Sequence, residues 1–186
     1  MLLVSSISTA IAQTTHRINK DTGAETWETD THGVHFSLTQ ILPEQVRAFY
    51  VNRGFTLDQI AEYADSCVFM TVLRNDSATD SIHFVRSQWQ LLVTDEANKV
   101  QTRPLRSVEG WLDQFKQYKS RVKKPALIAF RWAQFPPEQV YQPGGDWNQG
   151  MLAMGLTAKR KFDLIANWDS NGKNFQAKLE GVQCAP

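Results

Sequence analysis

Alternation of hydrophobic and polar residues is the dominant pattern along this chain. In the segment 33–42, Val34, Phe36 and Leu38 alternate with polar residues. Because successive side chains of a strand point to opposite faces, a period of two predicts a strand with one buried face. The other segments with strand character are 67–73, 82–94, 125–135, 150–156, 162–168 and 175–179.

Turn residues and breaks in the alternation indicate where these strands end. The Asn171-Gly172 dipeptide separates two alternating runs, which is a strong signal for a β-hairpin. The run 82–94 loses its alternation at 86–90, which indicates a bulge. The segment Asn75-Asp76-Ser77 predicts a turn, and in a eukaryotic exported protein it would also be an N-glycosylation acceptor. The polar segment 13–31 predicts only an arm or a weak edge strand.

Three stretches carry apolar residues at helical spacing instead. The first begins at Pro43, which a helix tolerates in its first turn, and ends before Gly54. The second follows Thr56, which with Gln59 matches a capping box. The third covers 107–118, where four large apolar residues recur every three or four positions.

Strands outnumber helices in this pattern and do not alternate with them, which argues against a doubly wound parallel sheet. The sequence therefore predicts a mainly β fold. We expect an antiparallel β-sandwich, immunoglobulin-like in outline, with two or three short helices between strands. A barrel of six to eight strands is the alternative. No repeat or linker divides the chain, so residues 13–186 are predicted to form a single domain.

The first twelve residues predict export. Residues 1–12 carry no charged side chain, include a short apolar stretch and end in Ala10-Ile11-Ala12. A small-residue A-x-A ending is typical of a signal-peptidase site. We interpret this segment as a signal peptide or its remnant, although the usual basic start is missing. The predicted location is periplasmic or secreted.

Composition narrows the function classes. The 186-residue chain has 20 basic and 19 acidic residues, giving a formal net charge of +1. Non-specific nucleic-acid binding needs a basic surface, so a nucleic-acid partner is not expected. No run of 18 apolar residues occurs, so no membrane span is predicted.

The two cysteines fit an exported protein. An even number of cysteines in an oxidising compartment favours a disulfide, which would join Cys67 to Cys184. Two separate buried thiols are the alternative. The chain has no CxxC motif, and this excludes thioredoxin-like redox motifs and the usual zinc knuckles.

The segment 132–147 is the strongest candidate for a binding surface. It combines aromatic, amide and acidic residues with prolines and glycines that set an irregular path. Aromatic side chains with polar neighbours suit contact with a protein or a small ligand. The alternative is an ordered loop that packs its own aromatics. The candidate partner-binding residues are Trp132, Phe135, Tyr141, Asp146, Trp147 and Asn148.

A copper site is the alternative function. His32 and His35 form one pair, and Met151 and Met154 form another. Imidazole and thioether ligands suit copper, especially Cu(I). Residues three apart on a strand face opposite sides, so each pair could converge only through a turn or a bend. No other cofactor is predicted.

Catalytic motifs are absent from the sequence. It contains no GxSxG, GxGxxG, Walker or HExxH motif. A hydrolase site assembled across strands, around Asp146 or His83, is a second alternative. The favoured interpretation is an exported, non-catalytic binding or accessory domain that recognises a protein or small ligand through its end loops.

Overall fold

A computed structural model describes residues 13–118 and 120–186 of the chain. The predicted signal peptide, residues 1–12, lies outside the described residues. Strands hold 43% of the residues and helices 22%, which confirms the predicted mainly β class.

The strands are β1 (Thr15–Ile18), β2 (Glu25–Thr31), β3 (Val34–Gln40), β4 (Val68–Asn75), β5 (Ile82–Val85), β6 (Gln90–Thr94), β7 (Val100–Pro104), β8 (Glu138–Tyr141), β9 (Asp146–Ala153), β10 (Lys161–Ser170) and β11 (Lys173–Gln183). The helices are α1 (Pro43–Val51), α2 (Leu57–Ala64), α3 (Val108–Phe115) and α4 (Lys124–Ala133).

Two antiparallel sheets form a β-sandwich, as predicted. Sheet A has five strands in the order β1-β2-β3-β4-β9. Sheet B has six strands and is built around β10, which pairs with β11 along one edge and with β5 and β6 along the other. Strand β8 extends the sheet beyond β5, and β7 extends it beyond β6.

The sandwich carries a third layer, because the helices cover part of the outer face of sheet A. One buried cluster lies between the sheets and includes Phe36 of β3 and Leu164 of β10. A second cluster joins Met151 and Ala153 of β9 to helical residues such as Tyr50. Alternate residues of β9 therefore face two different cores, as the strand period requires.

The segment 125–135 corrects the sequence analysis, because it forms helix α4 rather than a strand. Ile128, Phe130 and Trp132 alternate in the sequence, but only Phe130 is buried. The buried face instead runs from Ala126 to Phe130, four residues apart, which is helical spacing. Pro125 in the first turn and the three alanines of the segment, Ala126, Ala129 and Ala133, favour this helix. The described residues consequently contain four helices instead of the two or three expected.

The three predicted helices and most other predicted strands are confirmed, but β2 lies inside the sheet, the run 82–94 forms two strands, and β7 and β8 are additional. Residues 13–31 form an exposed edge strand, β1, and also β2, which pairs on both sides. The break at 86–90 is a 3₁₀ turn over Arg86–Gln88 that separates β5 from β6. At α2, Thr56 Oγ1 accepts a hydrogen bond from the Gln59 amide at 3.3 Å, which confirms the capping box.

Two opposite ends of the sandwich differ in construction. At the disulfide end, Cys67 and Cys184 are bonded as predicted, across a sequence separation of 117 residues. At the other end lie the β2–β3 turn, the β4–β5 loop, the β8–β9 loop and the β10–β11 turn, which we call the loop end. Its segments are joined by hydrogen bonds from Ser77 N to Gly33 O (2.9 Å), Gly145 N to Asn75 O (2.7 Å) and Ser170 Oγ to Ser81 O (2.9 Å).

Candidate binding site at the loop end

The aromatic residues of the candidate segment 132–147 separate into two groups. Phe135 and Tyr141 are 0% and 1% exposed, and both rings pack on Phe84, with ring centroids 5.4 and 5.6 Å away. Trp132 is 85% exposed on α4, and Trp147 is 50% exposed at the start of β9. In this structure, the first pair builds the core and only the two tryptophans offer an aromatic surface.

A buried polar network holds the beginning of this segment. Gln134 donates to the Tyr50 hydroxyl at 2.8 Å and accepts from the Tyr63 hydroxyl at 3.0 Å. The Arg86 guanidinium donates to the carbonyl of Phe135 at 2.7 Å. Burial raises the pKa of both tyrosines, so Tyr63 keeps the proton that it donates to Gln134, and the neutral Tyr50 hydroxyl accepts from the Gln134 amide.

Close backbone packing also fixes the segment against sheet A. The Phe135 amide donates to the Met151 carbonyl at 2.9 Å. A Cβ placed on Gly150 would lie 2.3 Å from the Phe135 nitrogen, so only glycine permits this approach. The segment is therefore an ordered connection between the two sheets, in line with the alternative interpretation of its aromatics.

Trp147 lies in a row of side chains on the outer face of sheet A. Its cross-strand neighbour is Arg74, followed by His35 and then Asp30. Arg74 forms two hydrogen bonds with Asp76, Nε to Oδ1 at 2.5 Å and Nη2 to Oδ2 at 2.8 Å. The His35 Nδ1 lies 2.9 Å from Asp30 Oδ1. The row thus combines one exposed aromatic ring with charges that are paired within the protein.

The neighbours of Trp147 in sequence have structural positions. Asp146 is exposed, and its Oδ2 accepts a hydrogen bond from the Gln142 amide at 3.0 Å, closing the β8–β9 loop. Asn148 is half-buried and pairs with Leu73 in the sheet. Asp146 therefore helps to shape the loop end, while Asn148 lies on the opposite face of β9 from Trp147.

The four predicted copper ligands do not meet. Met151 belongs to the cluster under the helices, whereas Met154 belongs to the cluster between the sheets. His35 is paired with Asp30 on the outer face of sheet A, and His32 packs on Phe175 with ring centroids 4.9 Å apart. Within residues 13–118 and 120–186, no group of three or more His, Cys, Asp and Glu side chains forms a metal cluster.

The hydrolase alternative rests on His83, which lies on the outer face of sheet B. Its Nδ1 is 2.9 Å from Asp169 Oδ2, and its Nε2 is 2.8 Å from Glu138 Oε1. Hydrogen bonding to Glu138 and Asp169 raises the pKa of His83, because both carboxylates favour the protonated ring. A general base needs a free nitrogen facing a nucleophile, and here each ring nitrogen faces a carboxylate.

A pocket of about 410 Å³ opens at the loop end. It lies between the β2–β3 turn, the β4–β5 loop and the β10–β11 turn. Among its lining residues are His32, Asp80, Lys173 and Phe175. The sequence predicts the turns at 75–77 and 171–172 but not the pocket, because nothing in the local pattern shows that these segments lie side by side.

The buried amide of Asn75 organises this pocket. Its Nδ2 donates to the carbonyls of Asp80 (3.0 Å) and Tyr141 (3.2 Å), and the residue is fully buried. This side chain holds the β4–β5 loop against the end of β8. Because Asn75 has no exposed amide in the fold, its sequence motif marks a structural turn rather than an accessible glycosylation acceptor.

Together, the two sheets, the helical cover and the loop end define a disulfide-linked β-sandwich with a surface row and a pocket at one end. Among the described residues, no helix has the length and apolar character needed to cross a membrane. Comparisons with protein-family models, with curated proteins and with solved structures find no match for this chain.

Proposed function

We propose that this protein is an exported, non-catalytic binding domain that recognises a partner protein at its loop end. The single observation that carries the proposal is the half-exposed Trp147 beside Arg74, on rigid strands at this end of sheet A. Tryptophan and arginine are the side chains most enriched among residues that dominate binding energy.

The surroundings of Trp147 suit protein contact. Strands β4 and β9 pair along their whole length, so the ring is presented from a backbone that need not order on binding. The ion pair between Arg74 and Asp76 leaves little net charge beside the ring. We expect a partner surface with an apolar pocket for Trp147 and acceptor groups for Arg74.

Export is supported by the disulfide and by the signal-like residues 1–12. Disulfides persist in oxidising compartments and are rare in reducing ones. The Cys67–Cys184 bond joins the residue before β4 to the residue after β11, so it stabilises the sandwich that presents the loop end. The proposed location is periplasmic or secreted.

The test is affinity capture from the exported fraction of the source cells, with cross-linking and mass spectrometry. We expect one partner to be retained by the wild type and by a Val100→Ala variant, whose site is exposed on β7. Trp147→Ala should weaken retention by about tenfold or more, which corresponds to about 1.4 kcal/mol. Equal melting temperatures of the three proteins would exclude unfolding as the cause.

A Trp132→Ala variant distinguishes the two candidate contact surfaces, because Trp132 is the other exposed tryptophan of the candidate segment. A loss confined to Trp147→Ala supports the loop end as the contact surface. A loss confined to Trp132→Ala moves the contact to α4 and contradicts the proposal. Equal retention of every partner by wild type and Trp147→Ala also contradicts it.

A further inference from the structure

We propose that the loop-end pocket binds a neutral saccharide. This inference is independent of the protein contact at Trp147, since the pocket is lined by residues of the β2–β3 turn, the β4–β5 loop and the β10–β11 hairpin. Its volume of about 410 Å³ falls in the range of small-molecule sites.

The floor of the pocket is aromatic. The His32 ring lies 4.9 Å from the Phe175 ring, and the Trp168 ring is stacked beside Phe175 at 6.3 Å with an interplanar angle of 18°. Trp168 is buried, so Phe175 and His32 provide the faces that a ligand reaches. A pyranose ring has a face of C–H groups, which packs well on such an aromatic surface.

The rim of the pocket is polar and has a net charge close to zero. Asp80 brings one carboxylate and Lys173 one ammonium group. Ser77 and Thr79 add hydroxyls, and Asn171 adds an amide. These groups include donors and acceptors in comparable number, which matches the hydroxyls of a sugar. The opposite charges of Asp80 and Lys173 leave no net charge that would favour an anion or a cation, and an apolar ligand would give the rim groups no hydrogen-bond partners.

The backbone of the pocket is built before any ligand arrives. A Cβ on Gly33 would lie 2.3 Å from the Ala78 nitrogen, so the β2–β3 turn and the β4–β5 loop are in direct contact. Ser170 Oγ bonds the Ser81 carbonyl at 2.9 Å and ties the β10–β11 hairpin to the same loop. A pocket with fixed walls loses little conformational entropy on binding.

His32 has a left-handed backbone conformation in the β2–β3 turn. Its φ is 51° and that of Gly33 is 77°, so both central residues of the turn are left-handed. Asparagine, aspartate or glycine is the usual first residue of such a turn, as Asn171 shows in the β10–β11 turn with φ 49°. The histidine ring packs on Phe175, and a role of that ring in binding would account for a residue other than asparagine, aspartate or glycine at this position.

The experiment measures binding of three neutral probes, maltotetraose, cellotetraose and the tetramer of N-acetylglucosamine, by titration calorimetry. An anionic probe, tetragalacturonate, is titrated in parallel. We expect saturable one-to-one binding of at least one neutral probe. Binding of none of the three, or tighter binding of the anionic probe than of all three, overturns the proposal.

Variants test whether the saccharide binds in this pocket. His32→Asn keeps the turn and removes the ring, so we expect affinity to fall by about tenfold or more at an unchanged or higher melting temperature. Lys173→Ala should also weaken binding. The matched control is Asn98→Gly, at a left-handed position (φ 62°) in the β6–β7 turn at the disulfide end. Unchanged affinity in His32→Asn overturns the proposal, whereas an unchanged affinity in Trp147→Ala is expected and keeps the two contacts separate.

Discussion

The two ends of the sandwich are held together by different means. At the disulfide end, the Cys67–Cys184 bond joins sheet A to sheet B, and the Cys67 carbonyl accepts a hydrogen bond from Met154 N at 3.0 Å. At the loop end, no described residue forms a covalent link. The segments there are held by the close approach of Gly33 to Ala78 and by the buried amide of Asn75.

This difference means that the disulfide end mainly affects stability, whereas the loop end mainly affects recognition. A covalent bond between residues far apart in the chain reduces the number of conformations open to the unfolded chain. The contacts at the loop end act only in the folded state, where they set the shape of the pocket and the position of the neighbouring strands. We therefore expect changes at the disulfide end to alter stability most, and changes at the loop end to alter shape and binding.

Removal of the disulfide should have the largest effect. A Cys67→Ser/Cys184→Ser double variant loses a constraint on a loop of 117 residues, which is worth up to about 4–5 kcal/mol of unfolding free energy. Urea unfolding of the oxidised and the reduced wild type provides the comparison. The reduced wild type should match the double variant, and the variant should not respond to reductant. Equal unfolding free energies for the oxidised and reduced wild type would refute this assignment of stability.

Gly33→Ala should have the next largest effect. The new Cβ would lie 2.3 Å from Ala78 N, and the residue has a φ of +77°. The matched control is Gly172→Ala, with a φ of +72° and no atom within 4 Å of the added Cβ. The control measures the left-handed penalty alone, about 1–2 kcal/mol. We expect Gly33→Ala to lose about 1–3 kcal/mol more unfolding free energy than Gly172→Ala, because the β4–β5 loop must move.

Both glycine variants can be measured by urea unfolding, and the shape of the pocket by amide chemical shifts of residues 76–81. Shifts in this loop should appear in Gly33→Ala and not in Gly172→Ala. If both variants lose the same stability, the close contact between the two turns is not a determinant of the loop end.

Replacement of His83 should have the smallest effect on stability, and the size of that effect depends on pH. Hydrogen bonds to Glu138 and Asp169 raise the pKa of His83 above its ordinary value of 6.5. The stabilisation is therefore complete below the unfolded pKa and is lost as the pH rises through the higher folded pKa. Since these side chains are partly exposed, screening limits the contribution to about 0.5–1 kcal/mol.

The measurement is urea unfolding of the wild type and His83→Gln from about pH 5.5 to pH 9, a range that spans the ordinary histidine pKa. The stability difference between the two proteins should be largest at the acidic end and should shrink towards pH 9. A difference that grows with pH would mean that the ring is held in its neutral form, contrary to the contacts with two carboxylates.

Local patterns predicted much of the fold and little of the site. The hairpin at Asn171-Gly172, the capping box at Thr56 and the alternation of β3 were recognised because each is set by residues adjacent in the chain. Helix α4 was missed because Ile128, Phe130 and Trp132 alternate by chance, while burial follows Ala126 and Phe130. Of the candidate binding residues, Trp147 is half-exposed and Phe135 is in the core. The composition of the segment cannot show which of its aromatic residues is buried.

The sequence by itself determined the mainly β class and most element positions, and it favoured a disulfide between the two cysteines. These follow from side-chain periodicity, turn residues and cysteine count, all of which can be read within a short window or from the composition. Only the tertiary structure decided which aromatics are buried, that Met151 and Met154 face different cores, and that His32 meets Phe175. Those outcomes depend on contacts between residues far apart in the chain, where packing chooses among arrangements that the local pattern allows equally.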